Sequence, residues 1–173
     1  MQNTTNHIKR ELQLTADGSH TLFIPEMDEH YHSVNGAVQE SRHVFIEAGL
    51  HHLERREITI LEIGFGTGLN AFLTLLDAEA CQRKIHYCSI ELYPLGTDVI
   101  ESLNYGEMLC AGRKDVFHAL HQAEWNVAVQ VTEFFELHKI QGDSNTCALP
   151  DRIDLIYFCL LYTSPSPRDP KTS

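Results

Sequence analysis

The sequence predicts an α/β protein built on a parallel, doubly wound sheet. Apolar stretches of strand length alternate with helix-length segments from residue 58 to residue 158. The strand stretches are apolar on both faces, which is typical of strands that helices cover on both sides. A glycine-rich turn follows the clearest of these strands, as in folds that bind a ligand at the carboxyl end of the sheet.

The predicted elements follow one another in a simple order. Residues 12–24 indicate two short strands around Asp17-Gly18, a dipeptide that favours tight hairpins. Apolar positions at three-to-four spacing predict a helix from about Gly36 to Glu54. The later elements are a strand at 58–63, a helix at 67–80, a strand at 84–91, helices at 95–103 and 113–123, and strands at 135–140 and 152–158. Residues 125–133 fit either a strand or a helix.

The composition is that of one soluble, reduced domain. The chain has 173 residues, of which 43% are apolar and 21% charged, and one domain is usual at this length. No apolar run reaches the roughly 18 residues of a membrane span. The five cysteines are scattered without a CxxC pair, which favours free thiols and a cytoplasmic location. The eleven histidines include no HxxxH or HExxH pair, so we predict no metal site.

The formal charge of −11 argues against avid binding of nucleic acid. Nucleic-acid binders usually present a basic face, because contacts to phosphate supply much of their affinity. Positive charge is concentrated here only at HIKR near the start, at residues 55–56 and at Arg113-Lys114.

The segment LEIGFGTGLN, residues 61–70, carries the most informative motif of the chain. Its alternating glycines allow a tight turn and a close approach of the backbone to a ligand. These glycines are Gly64, Gly66 and Gly68. Leu69 stands where a dinucleotide-binding GxGxxG motif needs its last glycine. The GxGxG pattern, preceded by Glu62, resembles the first motif of class I S-adenosylmethionine-dependent methyltransferases. A carboxylate beside the turn suits a ligand with ammonium and sulfonium groups better than one with phosphates.

Two further acids follow the next predicted strands of the sheet. Glu91 ends the second strand, where a carboxylate accepts hydrogen bonds from ribose hydroxyls in folds of this type. Asp143 ends the third strand, where class I methyltransferases commonly hold the adenine amino group. Together with Asn70, which closes the glycine segment, these acids predict an S-adenosylmethionine site. The alternatives are solvated strand-end acids and a glycine loop that only closes a strand–helix turn.

Beyond this motif, the chain resembles one family from about residue 12 to residue 158. The matching segments are TADGSHTL, YHSVNGAVQES, HVFIEAGL, LEIGFGTGLN, FFELHKIQGD and DLIYF, in that order. They resemble the methyltransferase domain of the tRNA 5-methylaminomethyl-2-thiouridine-forming, MnmC-like enzymes. The resemblance implies a Rossmann-like class I S-adenosylmethionine-dependent methyltransferase fold with an incomplete sheet and an N-terminal β-hairpin and helix.

The same resemblance implies an activity and partners. The reaction is methyl transfer to the aminomethyl nitrogen of a modified wobble uridine in tRNA. In some members an FAD-dependent oxidoreductase domain follows, and nothing in this sequence matches it. Two other functions stay open: a class I methyltransferase with a small-molecule or protein acceptor, and a non-catalytic nucleotide-binding module.

The resemblance also marks residues near the reacting groups. Tyr31, Ser33 and Glu40 lie in the second matching segment and are candidates for the donor or amine pocket. A structural hairpin and helix that cover one sheet edge are the alternative. In the family, the fourth strand continues into an Asp-Ala-Phe-Ala-Pro-like segment whose aspartate is the expected amine partner. Cys159 stands at that position here, and its thiol is mostly neutral and a weak acceptor, so the catalytic residue stays unknown.

The final segment, residues 159–173, departs from the pattern of the rest. It has three prolines in six residues and no period of another strand-and-helix unit. It resembles out-of-frame or adapter-derived endings, and we expect it to be non-native or disordered. We therefore expect residues 1–158 to be the N-terminal part of a methyltransferase domain, a fragment that is itself inactive.

Overall fold

The computed structural model describes residues 8–159 and begins with a small antiparallel sheet. Its strands are β1 (Glu11–Leu14), β2 (His20–Ile24) and β3 (Glu29–His30), in that spatial order. The Asp17-Gly18 turn joins the first two strands as predicted. The Asp17 carboxylate accepts hydrogen bonds from the Thr15 hydroxyl at 2.8 Å and from the backbone amide of Gln39 at 2.9 Å. It therefore ties the hairpin to the helix that follows.

The helix predicted for residues 36–54 is wrong in its continuity. The segment forms α1 (Ala37–Ser41), a π-helical stretch (Arg42–Glu47) and a 3₁₀ turn (Leu50–His52). Between the last two, Gly49 lies so close to the chain that a Cβ would be 2.6 Å from the Phe45 carbonyl oxygen. The three stretches have 5, 6 and 3 residues, which is too short for the different periods of these helix types to show in the apolar spacing.

The main sheet has five strands in the order β6-β7-β5-β4-β8. They are β4 (Glu57–Ile63), β5 (Lys84–Glu91), β6 (Ala128–Thr132), β7 (Phe135–Gln141) and β8 (Leu155–Phe158). Four of them are parallel, as predicted, and β6 pairs antiparallel with β7. The ambiguous segment 125–133 thus contains an antiparallel strand. Only two residues separate it from β7, and a parallel pair needs a crossover of a dozen residues or so.

Between residues 8 and 159 the chain has five α-helices beside this sheet. Besides α1 they are α2 (Leu69–Cys81), α3 (Thr97–Ser102), α4 (Tyr105–Leu109) and α5 (Lys114–Gln122). The short α4 was not predicted. Buried aromatic rings fill the main core, with centroids 5.4 Å apart for Phe72 and Phe117 and 5.3 Å apart for Tyr87 and Phe135. Among the described residues, no helix combines the length and apolar character that crossing a membrane requires.

The small sheet is fastened to the rest of the molecule near the glycine turn. The Asn104 side chain accepts a hydrogen bond from the His20 amide at 3.0 Å and donates one to the Gly18 carbonyl at 2.8 Å. The Tyr105 hydroxyl donates to the His20 carbonyl. This docking brings the segment after β3 over the carboxyl end of β4. The predicted tail, apart from Cys159, lies outside the described residues.

Candidate active site

A cavity of about 310 Å³ opens at the carboxyl end of the main sheet. This volume lies at the lower end of the range for small-molecule sites, which is roughly 300–1,000 Å³. The walls come from the N-terminal sheet, from the glycine turn with the start of α2, and from the segments after β5 and β7. The polar side chains that line it include those of Arg10, Tyr31, His32, Asn70, Glu91 and Asp143.

The glycine turn forms the floor of the cavity, and two of its glycines are required by close contacts. Gly64 has φ 90°, and a Cβ there would lie 2.6 Å from the Cys159 carbonyl oxygen. Gly66 has φ 51°, and its Cβ would lie 3.2 Å from the Tyr31 ring. Positive φ is costly for residues with a Cβ, so glycine at these positions allows both the backbone conformation and the close contact. Gly68 does not line the cavity and lies against His121 instead.

Glu91 lines the cavity and binds the glycine turn directly. Its Oε2 accepts a hydrogen bond from the Gly66 amide at 2.9 Å, and its Oε1 accepts one from the Tyr93 amide at 2.8 Å. A carboxylate oxygen has two lone pairs, so each of these oxygens can accept one more hydrogen bond. Glu91 therefore holds the turn and still presents acceptors to a ligand.

Asp143, which follows β7, and Asn70, in α2, also line the cavity. The Asp143 carboxylate accepts hydrogen bonds from the Asn145 amide and side chain, both at 2.8 Å, and they lower its pKa. Asn70 is buried at the start of α2. Within residues 8–159, its side-chain oxygen has no hydrogen-bond partner. An unpaired buried acceptor is costly unless a ligand or water satisfies it.

Glu62 lies beneath the turn and does not line the cavity. It is 1% exposed, and its strand β4 is an interior strand of the sheet, between β5 and β8. Its Oε2 accepts a hydrogen bond from the Ser89 hydroxyl at 2.7 Å, and burial raises its pKa to about 8. The side chain is therefore mostly protonated at neutral pH. It does not present the ligand-facing carboxylate that the sequence suggested.

The three N-terminal candidates separate in the structure. Tyr31 lines the cavity, and its hydroxyl accepts a hydrogen bond from Arg10 Nε at 2.8 Å. The Ser33 hydroxyl is outside the cavity and accepts from the Asn35 amide at 3.2 Å. Glu40 is exposed on α1. The difference follows from the turn after β3, which directs Tyr31 and His32 toward the glycine turn and leads the chain away after them.

A network of hydrogen-bonded polar side chains lies behind the glycine turn, and the sequence did not predict it. The His32 ring contacts the Thr67 hydroxyl at 3.0 Å, and the His121 ring donates to the Thr67 carbonyl at 3.0 Å. Burial lowers the pKa of both histidines to about 4, so they are neutral at pH 7. Lys139 Nζ donates to the His121 carbonyl at 2.7 Å and lies 4.5 Å from the centre of the Trp125 ring.

These residues come from distant parts of the chain, and the sequence offered only one signal for them. That signal is the lysine inside the apolar strand FELHKI, since a lysine on a buried face needs a partner. The resulting network binds the hydroxyl and the carbonyl of Thr67 and thus stabilises the shape of the turn.

Cys159 lines the cavity at the end of β8. Its amide donates to the Ile63 carbonyl at 3.2 Å, which continues the pairing with β4. Burial raises the pKa of its thiol to about 12. The thiol is therefore neutral at physiological pH and brings no charge to the site.

Away from the cavity, a histidine of the 3₁₀ turn lies close to an aspartate and a cysteine of α2. Asp77 lies 2.6 Å from the His51 ring nitrogen and 3.9 Å from the Cys81 sulfur. Arg83 also binds this carboxylate, at 3.3 Å, and donates to the Leu53 carbonyl at 2.8 Å. A guanidinium already balances the aspartate, so we interpret the group as an ion-pair cluster that fastens the 3₁₀ turn to α2.

The fold and this cavity define the class of protein. Parallel strands in the order β7-β5-β4-β8, with a glycine turn after the first of them along the chain, form a Rossmann-like class I methyltransferase fold. MNMC2 from Aquifex Aeolicus has a similar structure, with a TM-score of 0.72 and 23% identity over 91% of this chain and 51% of that one. No family model matches the chain.

Sequence comparison identifies the particular relatives. The chain is 36% identical to the tRNA 5-methylaminomethyl-2-thiouridine biosynthesis bifunctional protein MnmC of Magnetococcus marinus over 99 residues, which are 54% of this chain and 14% of that protein. It is 31% identical to the protein of that name from Cupriavidus necator over 143 residues, 79% of this chain and 20% of the relative. The resemblance to the MnmC-like methyltransferase domain is therefore confirmed. The chain spans only 14–20% of the length of these two relatives.

Proposed function

We propose that the cavity binds S-adenosylmethionine and serves methyl transfer to the aminomethyl nitrogen of a modified wobble uridine in tRNA. The observation that carries the proposal is the Glu91 carboxylate, which binds the Gly66 amide at the mouth of a glycine turn. This arrangement lies at the carboxyl end of neighbouring parallel strands, where open α/β sheets bind their ligands. The acceptor follows from the names of the relatives.

The lining residues fit the parts of this donor. Glu91 has free lone pairs for the ribose hydroxyls, and Asp143 has acceptor capacity for the adenine amino group. Asn70, at the start of α2, also lines the cavity. Apolar side chains of Ile63 and Ile90 line the walls between them and exclude water. The bound donor would supply an electrophilic methyl group on sulfur.

The acceptor nitrogen must be a free amine, because an ammonium has no lone pair to take up the methyl group. Proton removal therefore needs a nearby base. Of the described side chains at the cavity, Cys159 is neutral, and the two carboxylates are assigned to the donor. We propose that residues 8–159 bind and orient the donor, and we leave the base unassigned.

The tRNA partner, the cytoplasmic location and an FAD-dependent partner domain stay predictions from the resemblance. The tRNA partner most needs a test, because the chain has a formal charge of −11 and tRNA is also negatively charged. A methyl-transfer assay with labelled S-adenosylmethionine tests it on this chain and on any longer form of the protein that its gene encodes. Transfer to tRNA that carries aminomethyl-uridine, without transfer to unmodified tRNA, is expected. If neither tRNA is methylated or bound, this acceptor is contradicted and a small-molecule or protein acceptor is favoured.

The donor itself is tested on this chain by thermal unfolding with S-adenosylhomocysteine or NAD at matched concentrations. We expect S-adenosylhomocysteine to raise the unfolding temperature and NAD to leave it unchanged. Stabilisation by NAD alone overturns the donor assignment and favours the nucleotide-binding module.

A further inference from the structure

The cavity carries one cationic side chain whose role the proposed function does not explain. Among the described lining residues, Arg10 is the single lysine or arginine, in a chain with a formal charge of −11. We infer that Arg10 and Tyr31 form a subsite for a carboxylate, namely the α-carboxylate of the amino-acid half of the methyl donor. This inference rests on the proposed function, since it names how one part of that donor is held.

The position of the guanidinium is set by its contact with Tyr31. Arg10 Nε donates to the Tyr31 hydroxyl at 2.8 Å. The Tyr31 ring in turn lies over Gly66, whose Cβ position is 3.2 Å from it. Arg10 is therefore held above the glycine turn, on the side of the small N-terminal sheet.

Both groups keep donors for an anion. Arg10 Nη1 has only a long contact of 3.4 Å with the Ile8 carbonyl, and within residues 8–159 Nη2 has no hydrogen-bond partner. These two nitrogens form the fork that binds a carboxylate through two parallel hydrogen bonds. Burial raises the pKa of Tyr31, so its hydroxyl is neutral and can donate its proton while it accepts from Arg10.

The layout of the cavity indicates which anion belongs there. Glu91 ends β5 and Asp143 follows β7, and these two carboxylates are the acceptors proposed for ribose and adenine. Arg10 precedes β1 and Tyr31 follows β3, so both reach the cavity from the small N-terminal sheet. The α-carboxylate is the only anionic group of S-adenosylmethionine, so it is the expected partner of the single cationic side chain among the described lining residues. The half-buried setting of Arg10 strengthens such a pair relative to a fully solvated one.

The test compares two ligands that differ only in this zwitterionic part. S-adenosylhomocysteine has the amino-acid half, and 5′-methylthioadenosine lacks it but keeps the adenosine and the sulfur. Isothermal titration measures both affinities for the wild-type chain and for Arg10→Met, which keeps an unbranched apolar stem and loses the charge. We expect Arg10→Met to weaken S-adenosylhomocysteine about 10- to 100-fold, as for a hydrogen bond between charged groups, and to leave 5′-methylthioadenosine within about twofold.

Two further variants make the result specific. Arg56→Met removes an exposed arginine just before β4, at the opposite end of the sheet, and is expected to bind both ligands like the wild type. Tyr31→Phe removes the hydroxyl that holds Arg10 and keeps the ring over Gly66. It is expected to weaken S-adenosylhomocysteine selectively, by less than Arg10→Met. Thermal unfolding without ligand confirms that each variant is folded.

The possible failures are distinguishable. A wild-type chain that binds neither ligand overturns the proposed donor itself. Wild-type binding of both, with equal weakening of both by Arg10→Met, overturns the carboxylate subsite and leaves the donor site intact. Unchanged S-adenosylhomocysteine affinity in Arg10→Met also overturns the carboxylate subsite. If that variant then binds tRNA more weakly than the wild type, Arg10 is assigned to a tRNA phosphate instead.

Discussion

The Gly66 amide donates a hydrogen bond of 2.9 Å to Oε2 of Glu91, which joins the glycine turn after β4 to the end of β5. A second amide, that of Tyr93, binds the other oxygen of the same carboxylate at 2.8 Å. One side chain thus fixes two loops at the edge of the cavity. Its removal affects both the shape of the site and the acceptors that the site offers.

Replacement of Glu91 by alanine tests this dual role. Two backbone amides lose their acceptor, and we expect the free energy of unfolding to fall by about 1–3 kcal/mol. We also expect S-adenosylhomocysteine affinity to fall at least tenfold, because the ribose acceptors are lost. Urea unfolding and isothermal titration measure the two effects. The control is Glu101→Ala on the exposed face of α3; an equal loss in the control would refute the prediction.

Gly66→Ala tests the approach of Tyr31 to the turn. The added Cβ meets positive φ, which costs about 1–2 kcal/mol, and it also lies 3.2 Å from the Tyr31 ring. Gly112→Ala is a matched control, since Gly112 has φ 88° and no atom within 4 Å of its Cβ position. Both variants should lose stability in urea, and only Gly66→Ala should lose affinity for S-adenosylhomocysteine. Similar affinities for the two variants would contradict the role of Gly66.

Glu62→Gln tests the protonated state of the buried carboxyl. Burial raises the pKa of Glu62 to about 8 in the folded chain, from an ordinary value of 4.5. Its contribution to stability is therefore fully present below pH 4.5 and is lost as the pH rises toward 8. Glutamine does not titrate, so Glu62→Gln should be more stable than the wild type at pH 8, by about 1–3 kcal/mol.

The measurement for this variant is urea unfolding at pH 5, 6.5 and 8. The difference between variant and wild type should grow with pH across this series. Glu124→Gln replaces an exposed carboxylate and should show a constant difference. A Glu62→Gln curve that runs parallel to the wild type would show that Glu62 is ionised in the fold.

Lys139→Met tests the cation held against the aromatic rings. Burial lowers the pKa of Lys139 to about 8, and its ammonium lies 4.5 Å from the centre of the Trp125 ring. Trp125 is the single tryptophan of the chain, so its fluorescence reports on this charge. We expect a transition in emission near pH 8 in the wild type and none in Lys139→Met. Lys114→Met, at an exposed lysine of α5, should keep the transition; its loss there would assign the signal to another group.

Much of the sheet and part of the site were predictable from the sequence. The strands β4, β5, β7 and β8 are short segments rich in apolar residues, which helix-covered strands of a parallel sheet favour, so they are visible without a structure. The placement of Glu91 and Asp143 at one cavity follows from the same fact. The carboxyl ends of parallel strands meet at one edge, so residues just after them converge.

The rest depends on contacts between remote segments, which no local pattern records. The sequence by itself determined the parallel strands, the glycine turn and the acids at the strand ends, since each follows from side-chain periodicity and the conformational freedom of glycine. Only the tertiary structure decided that Glu62 lies under the turn and that Arg10, His32 and Lys139 surround it. The physical reason is that alternation along a strand separates two faces but does not say which face meets a helix, a ligand or solvent.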